Sequence, residues 1–334
     1  MTQQNGDARR MVTRLKENYE KLRKSPVKYT DKRIRYLVAR LFAGQDEQLD
    51  IQRFSKVNQL IKERAGTFTV LTTNVRAALA GLLLKENREN LADVEQLFAN
   101  YQALIEGKFP RTEYTYFAAQ ALMSLDSDQV AETIVRAKKV HEAIKQHHPF
   151  LTGNEDISMS VLLAMLDEEY EPSELADLTE FYFTSFDEIG FKKNNGLQFL
   201  AGISVLLCRK KDPMYVKRVR TVLKQLEKQN IKPQELFYST IGVLAFVLNG
   251  SNFDQQFDQL YAEVKMLSGL RFDKNFQTAL ALSLYVEQKT SELSMEQTEQ
   301  LMVSLTALIA IEQAVIVSAV VVTAAIVNTS SSNS

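Results

Sequence analysis

Apolar residues recur at helical spacing along almost the whole chain, and they do so in two alternating styles. Segment 91–106, LADVEQLFANYQALIE, carries Leu91, Val94, Leu97, Phe98, Tyr101 and Leu104 at three- and four-residue steps. That is one apolar stripe on an otherwise polar helix. Segments 214–228 and 253–267 read the same way, through Val216, Val219, Leu223 and Leu226, and through Phe257, Leu260, Tyr261, Val264 and Leu267. Between such segments lie TYFAAQALMSL, LQFLAGISVLLC and STIGVLAFVL, which are apolar nearly all round. A helix of that kind is buried on most sides. The pattern predicts an inner layer of apolar helices and an outer, half-solvated layer of amphipathic ones.

The alternation is periodic. Turns at Gly66, Gly107, His148, Gly190, Asn230 and Gly269 follow one another at 41, 41, 42, 40 and 39 residues. One to three residues after each comes a large apolar residue: Phe68, Phe109, Phe150, Phe191, Ile231 and Phe272. Twelve after each comes a small one: Ala78, Ala119, Ser160, Gly202, Gly242 and Ala281. A period of this size predicts stacked supersecondary units. The expected fold is all-α, an array of about seven antiparallel helical hairpins, either an open α-solenoid or a closed α/α toroid. Mid-helix glycines at 202 and 242 cost helix propensity, so they predict a close backbone approach. Gly107, Gly190 and Gly269 are expected as left-handed helix C-caps. Pro110 and Pro233 separate one helix from the next.

The expected organisation is a basic N-terminal cap helix over 1–27, the hairpin domain over 28–312, an apolar closing helix over 313–327 and a disordered Ser/Asn tail over 328–334. Residues 314–327, AVIVSAVVVTAAIV, are apolar or small without a break. Fourteen residues fall short of the roughly 20 that a spanning helix needs, and Glu312 and Gln313 divide them from the apolar run before. A buried closing helix is the first reading, with a tail anchor or a sticky free end as alternatives.

Composition changes this picture little. Of 334 residues only 12 are Gly and 6 Pro, which favours helix. A formal net charge of -1 does not call for a polyanionic partner. A single cysteine, Cys208, rules out a disulfide within the chain, and the opening residues lack the apolar core of a secretory signal. Together these predict a cytoplasmic protein.

The strings NYEKLRK and FKKNNGLQFLAGISVL and the alanine- and serine-rich tail resemble bacterial domain-of-unknown-function family 4003. That resemblance implies a helical cytosolic protein and brings no catalytic residues with it.

Candidate chemistry is sparse. Eight residues after each turn stands a polar residue: Asn74, Thr115, Asp156, Gln198, Tyr238 and Gln277. Stacking would align them into a row at the N-termini of the inner helices, where free N–H groups favour anions. The row predicts a ligand or peptide groove; the alternative is that these first- and second-turn positions simply face water. His141, His147 and His148 lack metal-site spacing. Cys208 beside Arg209, Lys210 and Lys211 reads as a packed thiol at the end of an apolar helix. The acidic stretch from Asp167 to Glu188 reads as a solvated face. The basic stretches at Arg9–Lys24 and Arg209–Lys228 could meet nucleic acid or anionic lipid, but too few aromatics stand among them to favour either. No phosphate loop, nucleophile elbow or cofactor motif is present.

The expected function is therefore a binding or scaffold protein for a protein or peptide, with a small molecule as the lesser alternative. Two rivals remain. One is a toroidal enzyme with Glu113, Asp156 and Glu235 converging in a central pocket. The other is membrane association through the apolar C-terminus.

Overall fold

The structure is a computed structural model that describes residues 2–44, 48–66, 69–166, 169–291 and 293, with side chains from residue 8 onward. The expected closing helix and tail, and Phe68, lie outside the described residues. Among those described the protein is all-α, with fourteen α-helices and no strand. In chain order they are α1 (Thr2–Arg23), α2 (Lys32–Leu41), α3 (Ile51–Ala65), α4 (Thr73–Lys85), α5 (Leu91–Glu106), α6 (Glu113–Ala121), α7 (Ser127–His147), α8 (Ile157–Ala164), α9 (Pro172–Glu188), α10 (Asn195–Cys208), α11 (Pro213–Lys228), α12 (Tyr238–Leu248), α13 (Gln255–Lys265) and α14 (Lys274–Thr290).

The helices start where short polar side chains can take the first free N–H groups. Asp31, Asp50, Thr72, Asn90, Asn194, Asp212, Asp254 and Asp273 each accept a backbone N–H from the first turn that follows. Asn90 and Asp93 form a reciprocal capping box at the start of α5.

Burial sorts the helices into two kinds. From Gly196 to Leu207 every residue of α10 is buried, and α12 is buried at all but Phe246. The odd-numbered helices bury one stripe. In α5 it comprises Val94, Leu97, Phe98, Tyr101 and Leu104, while Leu91, expected in the same stripe, is exposed because it is the first residue past the cap.

Each odd-numbered helix packs on the even-numbered helix that follows it. The even-numbered helices also pack on one another in order, α2 on α4, α4 on α6 and so on to α12 on α14. The ends of the described chain meet: α1 packs on α13, and α14 touches α2. Across that junction the Tyr36 hydroxyl donates to Ser268 O at 3.0 Å, Lys32 Nζ donates to Gly269 O at 2.6 Å, and Lys16 pairs with Glu263 at 3.5 Å.

The expected close approaches occur. A Cβ on Gly202 would lie 2.5 Å from Met159 Sδ of α8, and one on Gly242 would lie 2.5 Å from Leu200 Cδ1 of α10. Gly107 departs from expectation. Its φ is −71°, and the left-handed turn falls on Lys108 at φ 68°. Gly107 is instead needed for space, since a side chain there would collide with Ile134 of α7. The apolar residues after the turns also divide. Phe109, Phe191 and Ile231 are buried, whereas Phe150 and Phe272 stand in solvent, and near them Leu151 packs against the core and Leu270 is buried in it.

Candidate functional site

The starts of the even-numbered helices lie side by side at one end of the molecule, and polar residues link them. The Asp31 N–H donates to Asn74 Oδ1 at 2.9 Å. Ser158 Oγ donates to Tyr114 O at 3.3 Å. Gly196 N–H donates to Glu235 Oε1 at 3.1 Å, and Asn195 Nδ2 donates to Glu155 at 2.5 Å.

The six residues of the predicted row all stand at this end, and five of them are buried. Thr115 donates to Pro110 O at 2.6 Å. Gln198 Nε2 donates to Thr152 Oγ1 at 3.1 Å, Lys192 N–H reaches the Tyr238 hydroxyl at 3.4 Å, and Gln277 Nε2 donates to Lys265 O at 3.2 Å. Asn74 is half-buried. These residues do not face water. Their polar atoms turn towards the connecting loops, because each loop carries backbone groups that a buried neighbour must satisfy.

Asp156 is the most perturbed of the row. It is 2 % exposed, and Oδ2 accepts the Gly153 N–H at 2.8 Å. Burial pushes its carboxyl up to about 8, against the opposing pull of that N–H and of the Gln198 amide. At neutral pH the group is therefore mostly protonated. Gln198 Oε1 is itself buried without a donor. The three carboxylates of the toroidal-enzyme reading are unlike: Asp156 is buried and neutral, Glu235 is exposed and caps α10, and Glu113 is half-exposed.

A serine–histidine pair was not anticipated. His141 Nδ1 lies 3.1 Å from Ser160 Oγ, but Ser160 is buried and its hydroxyl donates to Asp156 O at 2.9 Å. Burial lowers His141 to about 4, so the ring is neutral. A nucleophile must be reachable and deprotonated by its base; this hydroxyl is neither exposed nor aimed at the ring. His148 Nε2 sits 2.6 Å from Glu180 and His147 Nε2 3.4 Å from Asp177, which ties the end of α7 to acidic α9. Among the described residues no group of three or more His, Cys, Asp or Glu is arranged to hold a metal ion. The Cys208 thiol is pushed up to about 11, burial outweighing its cationic neighbours, which agrees with a packed thiol. No helix among the described residues is long and apolar enough to cross a membrane.

One open cleft lies at the same end, between the α3–α4 and α5–α6 connections. Its volume is about 330 Å³, and Arg64, Val70, Phe98, Tyr101, Arg111 and Tyr116 line it. Tyr101 and Tyr116 stack with centroids 3.8 Å apart, and Phe98 meets Tyr116 edge-on at 5.6 Å. The Arg64 guanidinium lies 5.1 Å from the Phe98 ring and pairs with Glu95 at 2.8 Å. Burial raises both tyrosines, Tyr116 to about 12, so each keeps its hydroxyl proton. The cleft thus offers aromatic faces, neutral hydroxyls and guanidinium charge. Sequence reasoning missed it because its residues come from three helices and two loops with no common spacing. Tyr116, next to Thr115 of the row, was the one signal within reach.

The chain matches the model of a family described as protein of unknown function (DUF4003) over residues 18–314. It is similar to an uncharacterised protein, YeaA, of Bacillus subtilis (strain 168), at 22% identity over 223 residues, 66% of this chain and 67% of that protein. No solved structure matches.

Proposed function

The chain belongs to the DUF4003 family, and from that footing we propose that it is a cytoplasmic binding or scaffold protein built as a closed ring of seven helical hairpins, α1–α2 through α13–α14. The contacts of α1 with α13 and of α14 with α2 support the ring. The single thiol, held protonated by burial, fits a reducing compartment.

The observation that carries the binding reading is the cleft of Tyr101, Tyr116, Arg64 and Arg111 at the inner-helix N-terminal end. Stacked aromatics give a rigid apolar floor, and the guanidinium groups favour a carboxylate or other anion. In this reading the row from Asn74 to Gln277 holds the rim in shape, and the cleft beside Thr115 makes the ligand contact. A short peptide with an acidic or C-terminal carboxylate and an aromatic side chain matches those groups; a small aromatic acid is the second choice.

A thermal-shift and fluorescence-titration screen of short acidic peptides and aromatic carboxylates tests the reading. Hits should stabilise the native chain and should be lost in Arg111→Ala and in Tyr101→Ala, with circular dichroism unchanged. Capture that persists in both variants, or no capture at all, rejects the cleft as the working surface.

A further inference from the structure

The end of the molecule that carries the inner-helix starts also carries three large rings in open solvent. Phe150 is 100 % exposed, Phe272 95 % and Tyr29 85 %. They stand in the α7–α8, α13–α14 and α1–α2 connections, which all lie at this end. Tyr29 and Phe272 flank the junction where Tyr36 and Lys32 reach Ser268 and Gly269. Phe150 belongs to the fourth helix pair, three pairs away from either side. The rings are therefore spread around the end rather than gathered in one spot.

Cations accompany two of them, whereas Phe150 shares its connection with Glu155 and Asp156. Lys28 Nζ lies 5.0 Å from the Tyr29 centroid, and the Arg271 guanidinium lies 5.9 Å from that of Phe272. Lys108 and Arg111, and Lys192 and Lys193, stand exposed in the neighbouring connections of the same end. The opposite end carries an acidic excess among the described residues. The connections that lead from even- to odd-numbered helices bear Asp50, Glu86, Glu89, Asp126, Glu169, Glu171, Asp212 and Asp254 against Arg88, Arg209, Lys210 and Lys211. Thus one end offers protruding aromatics with an excess of lysine and arginine over carboxylates, and the described residues of the other carry the reverse excess.

From this juxtaposition we propose that the end bearing Tyr29, Phe150 and Phe272 docks on an anionic lipid bilayer, the rings entering the headgroup layer and the surrounding cations meeting lipid phosphates. Interfacial aromatics combined with basic side chains are the chemistry by which a protein lies on a membrane without crossing it. The acidic end then points away from the bilayer, so the charge distribution orients the molecule as well as attracting it. Its three rings are not those of the Tyr101–Tyr116 cleft, and Arg111 is common to both surfaces, so the ring variant below tests it separately from the ligand reading.

The test is flotation of the full chain with vesicles of equal parts phosphatidylglycerol and phosphatidylcholine, against vesicles of phosphatidylcholine alone. The native chain should float with the anionic vesicles and stay behind with the neutral ones, and added salt should weaken the association. The triple variant Tyr29→Ser, Phe150→Ser, Phe272→Ser should lower partitioning by about tenfold or more, since the rings supply the apolar share of binding. Its melting temperature should be unchanged, because the rings touch solvent. Lys192→Glu with Lys108→Glu, which leaves the rings in place, should also reduce binding to the anionic vesicles.

Three results overturn the proposal. One is a native chain that ignores anionic vesicles. Another is a triple variant that floats as well as the native chain, which assigns the membrane contact elsewhere, the 314–327 segment included. The third is concentration-dependent self-association that the triple variant abolishes without any vesicle binding. That result would mean the basic end seats on the acidic end of a second copy.

Discussion

At the level of single residues, Asp156 shows how a buried polar group reports on its surroundings. Its carboxyl titrates near 8 in the folded chain, against about 3.9 in an unfolded one. Between those values the folded state holds the extra proton, so stability falls as pH rises, by about 1.4 kcal/mol per pH unit in the limit of a single group. His141 works the other way. Lowered to about 4 in the fold, it makes stability rise with pH up to its unfolded value near 6.5. The Asp156 slope is therefore opposed below about 6.5 and unopposed from there to about 8. Melts at pH 6.5 and pH 8 should show the native chain less stable at the higher pH. Asp156→Asn, which keeps the acceptor for the Gly153 N–H, should remove that slope and raise the melting temperature at pH 8. A slope that survives the substitution assigns it to another group. The sequence announced Asp156 as a member of a polar row, but not its inward turn. Spacing along a helix fixes which residues align, and the fall of the preceding loop decides whether they meet water or backbone.

Among elements, the two classes of helix were plain in the apolar pattern, because a helix with no polar face has nowhere to go but inside. Glycines mark how closely the inner helices approach, and the two cases differ in what they meet. Gly202 faces the thioether of Met159, a flexible side chain that can swing aside. Gly242 faces a Leu200 methyl and, at 3.0 Å, the Tyr215 hydroxyl that donates to its own carbonyl. Urea titrations should therefore find Gly242→Ala more destabilising than Gly202→Ala, by about 1–3 kcal/mol for the former. Equal costs would mean that both sites relax alike. The exposure of Phe150 and Phe272 lay beyond sequence reasoning for a related cause. Phe150 sits in the same register as buried Phe109 and Phe272 one residue further on, and a leucine within two residues of each packs against the core instead.

Across the whole molecule, the 40-residue spacing was legible, but whether the first and last helix pairs touch was not, since no local pattern encodes a contact between residues 232 apart. That junction makes the termini interdependent. Leu15 of α1 is fully buried, and Leu15→Ala should cost about 2–5 kcal/mol. Hydrogen exchange should then quicken in α13 together with α1, while α7 changes least. Faster exchange confined to α1 and α2 would indicate an array whose last pair stands without the first. The same junction sets a schedule for synthesis. Lys16 leaves the ribosome 247 residues ahead of its partner Glu263, which at about 5–20 residues per second is a wait of roughly 12–50 seconds. During that interval the apolar stripe of α1 that includes Met11, Leu15 and Leu22 must be shielded by α2 alone or by a chaperone, so the nascent chain is most exposed to aggregation just before its last helices emerge.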